Sequence, residues 1–278
     1  LAVNTTGTQN AALGTHALYA NTTANNNTAV GMNALTANTT GTANTAAGAL
    51  ALDANTTADY NTAFGYSALG AVITGTRNTA FGSNALVVNT GSYNVAMGHD
   101  AAAANTSGAG NIAVGDNALR ANTTGTRNVA IGSFDGSLLP ALYYNTTGAQ
   151  NIAIGTGALV SNTTASNNTA VGTSALTANT TGTRNTAMGS VTLDANTTGN
   201  DNTAYGYAAL GVNTTGTNNT AMGVDALDAN TTASNNTAVG YKSLTANTTG
   251  ANNTAMGHNC LDANTTSDYN TAFGREAL

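Results

Sequence analysis

The sequence predicts an all-β fold, a parallel β-solenoid (β-roll or β-helix) with one 17-residue coil per repeat, and three observations predict it. One unit restarts sixteen times, and thirteen of the fifteen intervals are 17 residues long. Each unit has a glycine as its fifth residue, and most carry a polar Asn-Thr-Thr cluster. Both features break helices, and helical repeats need about 33 residues or more. The units start at Asn10, Asn27, Asn44, Asn61, Asn78, Asn94, Asn111, Asn128, Asn151, Asn168, Asn185, Asn202, Asn219, Asn236, Asn253 and Asn270.

The first five repeat positions, counted from the starting asparagine, have the alternation of a short strand. Position 3 is alanine in all sixteen units, which indicates that another backbone segment passes close by. Position 4 would point to the opposite face, and it is apolar but varied in size, as in Val30, Phe64 and Met97. If the alanines face a thin interior, position 4 forms an exposed apolar stripe. Otherwise the assignment of the two faces is reversed.

The rest of the unit is predicted to be a second short strand and two turns. Ala-Leu at positions 8 and 9 can begin a strand, and Asn-Thr-Thr-Gly is typical of a turn. The invariant asparagine at position 1 is expected to form a ladder of amides bonded from coil to coil. The ladder is represented by Asn27, Asn44, Asn61, Asn111 and Asn168.

Residues 1-278 are interpreted as one repetitive domain of about sixteen coils. Neither end carries the polar capping unit that a stacked array requires, so we expect a fragment of a longer fibre. The longest interval, from Asn128 to Asn151, contains an inserted segment, 133-144, with the only proline. Inserts in solenoids form surface loops, often on a binding face. The candidate binding residues are Phe134, Asp135, Leu138, Leu139, Tyr143 and Tyr144; a tolerated bulge that packs Leu138 and Leu139 on the next coil is the alternative.

The composition limits the classes of partner and cofactor that we expect for this chain. Charged residues make up 6 % of the chain and the net charge is −6, with no basic stripe, so we do not expect nucleic acid as a partner. No segment approaches the roughly 18 apolar residues of a membrane span. The single cysteine, Cys260, excludes an intrachain disulfide framework. No cofactor is expected.

Polar side chains in the repeat leave other hypotheses open. Asn-Thr-Thr is a formal N-glycosylation acceptor, although a turn that satisfies its own backbone explains it as well. Threonine columns could order water and bind ice, but the column at position 2 is interrupted by Val95, Ile112, Val129 and Ile152. The aspartates at position 10 lack the ligand density of a calcium site. The acceptor asparagines include Asn38, Asn55, Asn122, Asn179 and Asn247.

No catalytic constellation is predicted. His16, His99 and His258 follow the glycine in separate coils, without a partner at a repeating offset. The chain is therefore not expected to be an enzyme. Because a narrow coil buries little apolar surface, we expect other copies to cover the stripe in a homo-oligomer, and among oligomers a trimer.

The segments Asn94-Val95-Ala96-Met97-Gly98 and Asn111-Ile112-Ala113-Val114-Gly115 resemble the Ser-Val-Ala-Ile-Gly head repeats of YadA-like trimeric autotransporter adhesins. The longer unit, NTAxGxxALxxNTTGxx, also resembles repeats of phage-type tail fibres. The resemblance implies a left-handed parallel β-roll, three chains side by side and surface attachment. The unit departs from the roughly 14 residues common in the adhesin heads, and neither a membrane anchor nor a chaperone domain is present.

The combined expectation is a structural and adhesive extracellular fibre segment, from a virion tail fibre or from a cell-surface adhesin shaft or head. It would provide length, rigidity and attachment to a cell-surface or glycan receptor. The alternatives are a self-assembling, glycosylated extracellular filament and an ice-binding β-solenoid.

Overall fold

The computed structural model describes residues 1-278, which form sixteen three-residue strands and no helix. The strands are β1 (Ala11–Leu13), β2 (Thr28–Val30), β3 (Thr45–Ala47), β4 (Thr62–Phe64), β5 (Thr79–Phe81), β6 (Val95–Met97), β7 (Ile112–Val114), β8 (Val129–Ile131), β9 (Ile152–Ile154), β10 (Thr169–Val171), β11 (Thr186–Met188), β12 (Thr203–Tyr205), β13 (Thr220–Met222), β14 (Thr237–Val239), β15 (Thr254–Met256) and β16 (Thr271–Phe273).

The chain forms two compact units. Unit 1 consists of Leu1–Phe134 with Tyr143–Thr147, and unit 2 of Asp135–Leu142 with Gly148–Leu278. Within each unit the strands pair in parallel with their sequence neighbours, and every repeat position faces its own copy in the next coil. Ala29 thus pairs with Ala46 in unit 1. The predicted all-β parallel solenoid is confirmed.

Each strand from β2 to β16 turns its middle residue inward and its two outer residues outward. The alanine at position 3 is buried throughout β2–β16, whereas positions 2 and 4 stay partly or largely exposed. Of the two assignments that the sequence left open, the one with the alanines inside is therefore correct. We call the surface formed by positions 2 and 4 of the strands the outer face.

Positions 5 to 11 form a series of turns, so the prediction of a second strand at positions 8 and 9 is wrong. Asn33 and Leu35 have φ angles of 57° and 51°, in the left-handed region that bulky residues rarely adopt. These angles point the peptide groups alternately to the two neighbouring coils. The Asn33 N–H donates to Thr15 O of the preceding coil at 2.9 Å, and the Leu35 N–H to Ala51 O of the following coil at 3.0 Å.

The core is a thin stack of repeated side chains. A leucine at position 9 is buried in nearly every coil, together with the alanines at positions 3 and 8. The glycine at position 5 follows the strand directly. The equivalent glycine of the next coil lies so close that a side chain at position 5 has no room. A Cβ atom on Gly31, whose φ is 135°, would lie 2.5 Å from the carbonyl oxygen of Gly48. Only glycine fits there.

Candidate functional site

The asparagines at position 1 join successive coils. The Asn44 N–H donates to Asn27 Oδ1 at 2.9 Å, and Asn44 Nδ2 donates to the Ala58 carbonyl, at position 15 of its own coil, at 2.8 Å. The same pair of bonds recurs at Asn61 and Asn168. Each amide therefore links its coil to the next one and also fixes the turn within its own coil.

The asparagines at position 12 form a second ladder. Asn55 Nδ2 donates to Asn38 Oδ1 at 2.8 Å and to the Ala58 carbonyl at 3.1 Å, so both ladders meet at position 15. The amides suggested as glycosylation acceptors belong to this ladder and are fully buried: Asn38, Asn55, Asn122, Asn179 and Asn247. A glycan on any of them would displace these hydrogen bonds and could not be accommodated in the folded coil.

The predicted binding residues of the insert fall into two groups. Phe134 is exposed, and Asp135 Oδ1 accepts the N–H groups of Ser137 and Leu138 at 2.9 and 2.8 Å. These backbone bonds stabilise the charged carboxylate and lower the pKa of Asp135. Leu138 and Leu139 are half-buried. Asp135 therefore shapes the turn of the loop.

From the sequence, Tyr143 and Tyr144 are assigned to the inserted segment. In the structure they belong to the regular coil and occupy repeat positions 10 and 11. The Ala121 N–H donates to Tyr143 O at 3.1 Å, as the Ala104 N–H does to Arg120 O one coil earlier at 3.0 Å. The extra residues are thus accommodated before Ala141. The two tyrosines remain in register with the rest of unit 1.

The two tyrosines close one end of a groove of about 570 Å³ on unit 1, which we call the Tyr143 groove. The rings of Tyr143 and Tyr144 pack edge to face at 4.8 Å. The remaining lining comes from positions 10 and 11 of the three preceding coils: Val88, Ala103, Ala104, Arg120 and Ala121. A small-residue floor, two aromatic rings and one cation make this groove a candidate binding surface of unit 1.

Arg120 is held in this groove from two sides. Its Nη1 donates to the Tyr143 hydroxyl at 3.2 Å, and its Nη2 lies 3.4 Å from Asp100 Oδ2. The hydrogen bond that Arg120 donates to the Tyr143 hydroxyl, more than the charge of Asp100, raises the pKa of Arg120. Asn84 Nδ2 donates to the other Asp100 oxygen at 3.1 Å. The sequence did not single out Arg120 or Asp100; the only signal for Arg120 was that it shares position 10 with Tyr143.

The titratable residues outside the groove form no metal site. No group of three histidine, cysteine, aspartate or glutamate side chains is placed to hold a metal ion. The Cys260 thiol is buried and contacts Ala272 O at 3.3 Å. Burial raises the pKa of Asp194 and of Asp228, whose carboxylates lie beside Gly211 in unit 2.

Comparison with known proteins gives no family assignment. No family model matches the chain, and no curated protein matches it. No helix with the length and apolarity of a membrane span is present.

Proposed function

We propose that the chain is a structural and adhesive segment of an extracellular fibre, in which the solenoid provides length and rigidity and several copies associate through their outer faces. The observation that carries the proposal is the apolar column at position 4. In unit 1 its exposed members are Leu13, Val30, Phe64, Phe81, Met97 and Ile131, each 37–69 % exposed. In unit 2 they are Ile154, Met188, Tyr205, Met222, Met256 and Phe273, each 36–64 % exposed.

Within each unit the column is continuous, because the strands are in register. Phe64 and Phe81 stack with their centroids 4.8 Å apart and their planes 3° from parallel. Soluble monomers rarely expose contiguous apolar patches beyond a few hundred Å². A second copy of the chain has the same column with the same repeat, so identical faces match along their length. The resemblance to trimeric adhesin heads favours three copies.

Attachment is assigned to the Tyr143 groove, because it combines aromatic rings with an oriented guanidinium on an otherwise small-residue surface. Such a groove suits a glycan or another cell-surface receptor that offers apolar faces and hydrogen-bond acceptors. Its position on a rigid coil holds the side chains in place for binding.

Electron microscopy of the longest available form of the protein tests the fibre. We expect discrete, unbranched fibres of uniform width that contain three copies of the chain. Open-ended polymers would support the self-assembling filament instead, and isolated monomers would contradict both. For attachment, Tyr144→Ala should reduce binding to host-cell or glycan surfaces at least tenfold, whereas Tyr269→Ala, a change at an exposed tyrosine outside the groove, should not.

Ice binding is a second candidate for one specific reason. In β10–β16 the outer face carries an unbroken threonine column, formed by Thr169, Thr186, Thr203, Thr220, Thr237, Thr254 and Thr271. The threonine column at position 13 is less available, because its hydroxyls donate to the next coil, as that of Thr180 does to Thr197 O at 3.1 Å. Thermal hysteresis and faceted ice crystals would support this candidate, and their absence would remove it.

A further inference from the structure

Unit 1 carries a stack of planar side chains at the last position of the repeat, position 17. Tyr93 ends a coil of only 16 residues but takes this position, because its N–H donates to Thr76 O as the Arg77 N–H donates to Asp59 O. The Arg77 guanidinium lies between two tyrosine rings, 5.4 Å from the centroid of Tyr60 and 5.5 Å from that of Tyr93. Arg77 Nη1 also donates to the Tyr93 hydroxyl at 3.1 Å. Each coil therefore contributes one planar group to the stack, and cation–π contacts between successive groups stabilise it.

The stack is interrupted one coil later. Position 17 of the next coil is Gly110, and the coil after that contributes Arg127. The gap is a notch of about 370 Å³, which we call the Gly110 notch, lined by Tyr93, Ala109, Gly110, Thr126 and Arg127. This volume falls at the lower end of the range of about 300–1,000 Å³ that is usual for small-molecule sites.

The backbone does not require glycine at this point. Gly110 has a φ of 68°, but Tyr93 and Arg127, at the same position in the adjacent coils, have φ angles of 62° and 55°. A Cβ atom on Gly110 would meet only Arg127 Cγ, at 3.6 Å, an ordinary contact. What distinguishes Gly110 from its neighbours is that it leaves the space between Tyr93 and Arg127 empty.

The notch also offers unused hydrogen-bond donors. In two other coils of unit 1 the N–H at position 16 donates to a side chain of the following coil, from Thr42 to Asp59 Oδ1 at 2.6 Å and from Thr76 to Ser92 Oγ at 3.0 Å. The corresponding Ala109 N–H has no acceptor within the chain. The Arg127 guanidinium has no ion pair, unlike that of Arg184, which pairs with Asp201 at 2.6 Å.

We propose that the Gly110 notch binds a planar aromatic ring that carries a carboxylate. The ring occupies the missing level of the stack, between the Tyr93 ring and the Arg127 guanidinium. The carboxylate takes the position where the Ala109 N–H, the Thr126 hydroxyl and the charge of Arg127 are available. The site is independent of the Tyr143 groove and of whether the chain forms fibres.

Titration with benzoate, followed by NMR of the amide groups of the intact chain, tests this site. We expect saturable shifts at Ala109, Gly110 and Thr126 with a dissociation constant on the order of 1 mM. Cyclohexanecarboxylate, which has the charge without the planar ring, and benzyl alcohol, which has the ring without the charge, should each bind at least fivefold more weakly. Arg127→Gln should weaken benzoate binding at least fivefold, whereas Arg184→Gln, at the same repeat position in unit 2, should not.

The decisive variant is Gly110→Tyr, which supplies the missing ring from the chain itself. Tyrosine already occupies position 17 with positive φ at Tyr60 and Tyr93, so this variant should fold and keep the parent's amide spectrum away from the notch. It should abolish the benzoate shifts. Retained benzoate binding in Gly110→Tyr, or the absence of saturable shifts at Gly110 in the parent, would overturn the proposal. Equal affinity for cyclohexanecarboxylate would overturn the stacked arrangement.

Discussion

Asn55 Oδ1 is buried and has no hydrogen-bond donor, because Val72 occupies the next position of the amide ladder. Elsewhere in the ladder, the equivalent oxygen accepts a hydrogen bond from the Nδ2 group of the asparagine in the following coil. Asn213 Nδ2, for example, donates to Asn196 Oδ1 at 2.9 Å. A buried acceptor without a donor costs about 1–3 kcal/mol. The ladder is therefore interrupted at one identified level.

Val72→Asn should repair the ladder. The new amide would donate to Asn55 Oδ1 and to the Gly75 carbonyl, so we expect the free energy of unfolding to rise by about 1–2 kcal/mol. The reverse change, Asn196→Val, should lower it by at least as much, since it removes two donated bonds and leaves Asn179 Oδ1 without its donor. Urea denaturation followed by circular dichroism measures both. A Val72→Asn variant less stable than the parent would contradict the ladder as described.

The glycine at position 5 should tolerate no side chain. On Gly65, with a φ of 134°, a Cβ atom would lie 2.5 Å from Gly82 O. Backbone strain and overpacking together predict a loss of roughly 2–5 kcal/mol for Gly65→Ala. Gly70, in the same coil, is a matched control, because a Cβ atom there would lie 3.2 Å from its nearest neighbour, Ser67 O. Gly70→Ala should change the free energy of unfolding by less than about 1 kcal/mol. Equal losses for the two variants would show that the close contact at position 5 is not the cause.

Two aspartates should make unit 2 more stable in mild acid. Burial raises the pKa of Asp194, and the pKa of Asp228 is raised by burial and by the charges of Asp225 and Asp194. The folded state therefore binds protons more readily than the unfolded state. These groups add stability as the pH falls toward 3.8, the ordinary pKa of an aspartate. The double variant Asp194→Asn, Asp228→Asn should lose this gain, as measured by urea midpoints between neutral pH and that value. An unchanged pH profile in the double variant would rule out the assignment.

The Cys260 thiol should be unreactive toward thiol reagents in the folded protein. Its thiol is fully buried and contacts Ala272 O, in the same way that the Ser243 hydroxyl donates to Ala255 O at 3.0 Å. We expect no reaction with a thiol reagent until the chain unfolds in urea. Cys260→Ser should retain the fold, because serine already fills this position at Ser243. Rapid labelling under native conditions would show that the coil opens there.

The fold was largely predictable from the sequence because each coil repeats the same physical choices. Ala29 and Val30 alternate between a closely packed interior and the surface, and their copies do the same at a constant interval. The turn at Leu35 was not predictable, because leucine disfavours positive φ and Ala-Leu is compatible with a strand. Coil-to-coil hydrogen bonds and the burial of the leucine offset that preference.

The site was less accessible to sequence reasoning. Arg120 and Tyr143 are 23 residues apart, and the extra residues hid the fact that both occupy position 10. The Gly110 notch depends on a missing side chain, which is apparent only once Tyr93 and Arg127 are known to share its column. Such features arise from comparing coils in space, and the repeat motif alone does not contain them.

The mass of the particle in solution tests most directly whether the outer faces associate. Sedimentation equilibrium at micromolar concentration should give three times the chain mass of 27.3 kDa. Met222→Lys places a charge on the outer face and should shift the mass toward the monomer, whereas Thr232→Lys, at an exposed position off that face in the same coil, should leave it unchanged. A parent chain that is a monomer and still has the β-type circular dichroism spectrum would show that the outer faces do not associate.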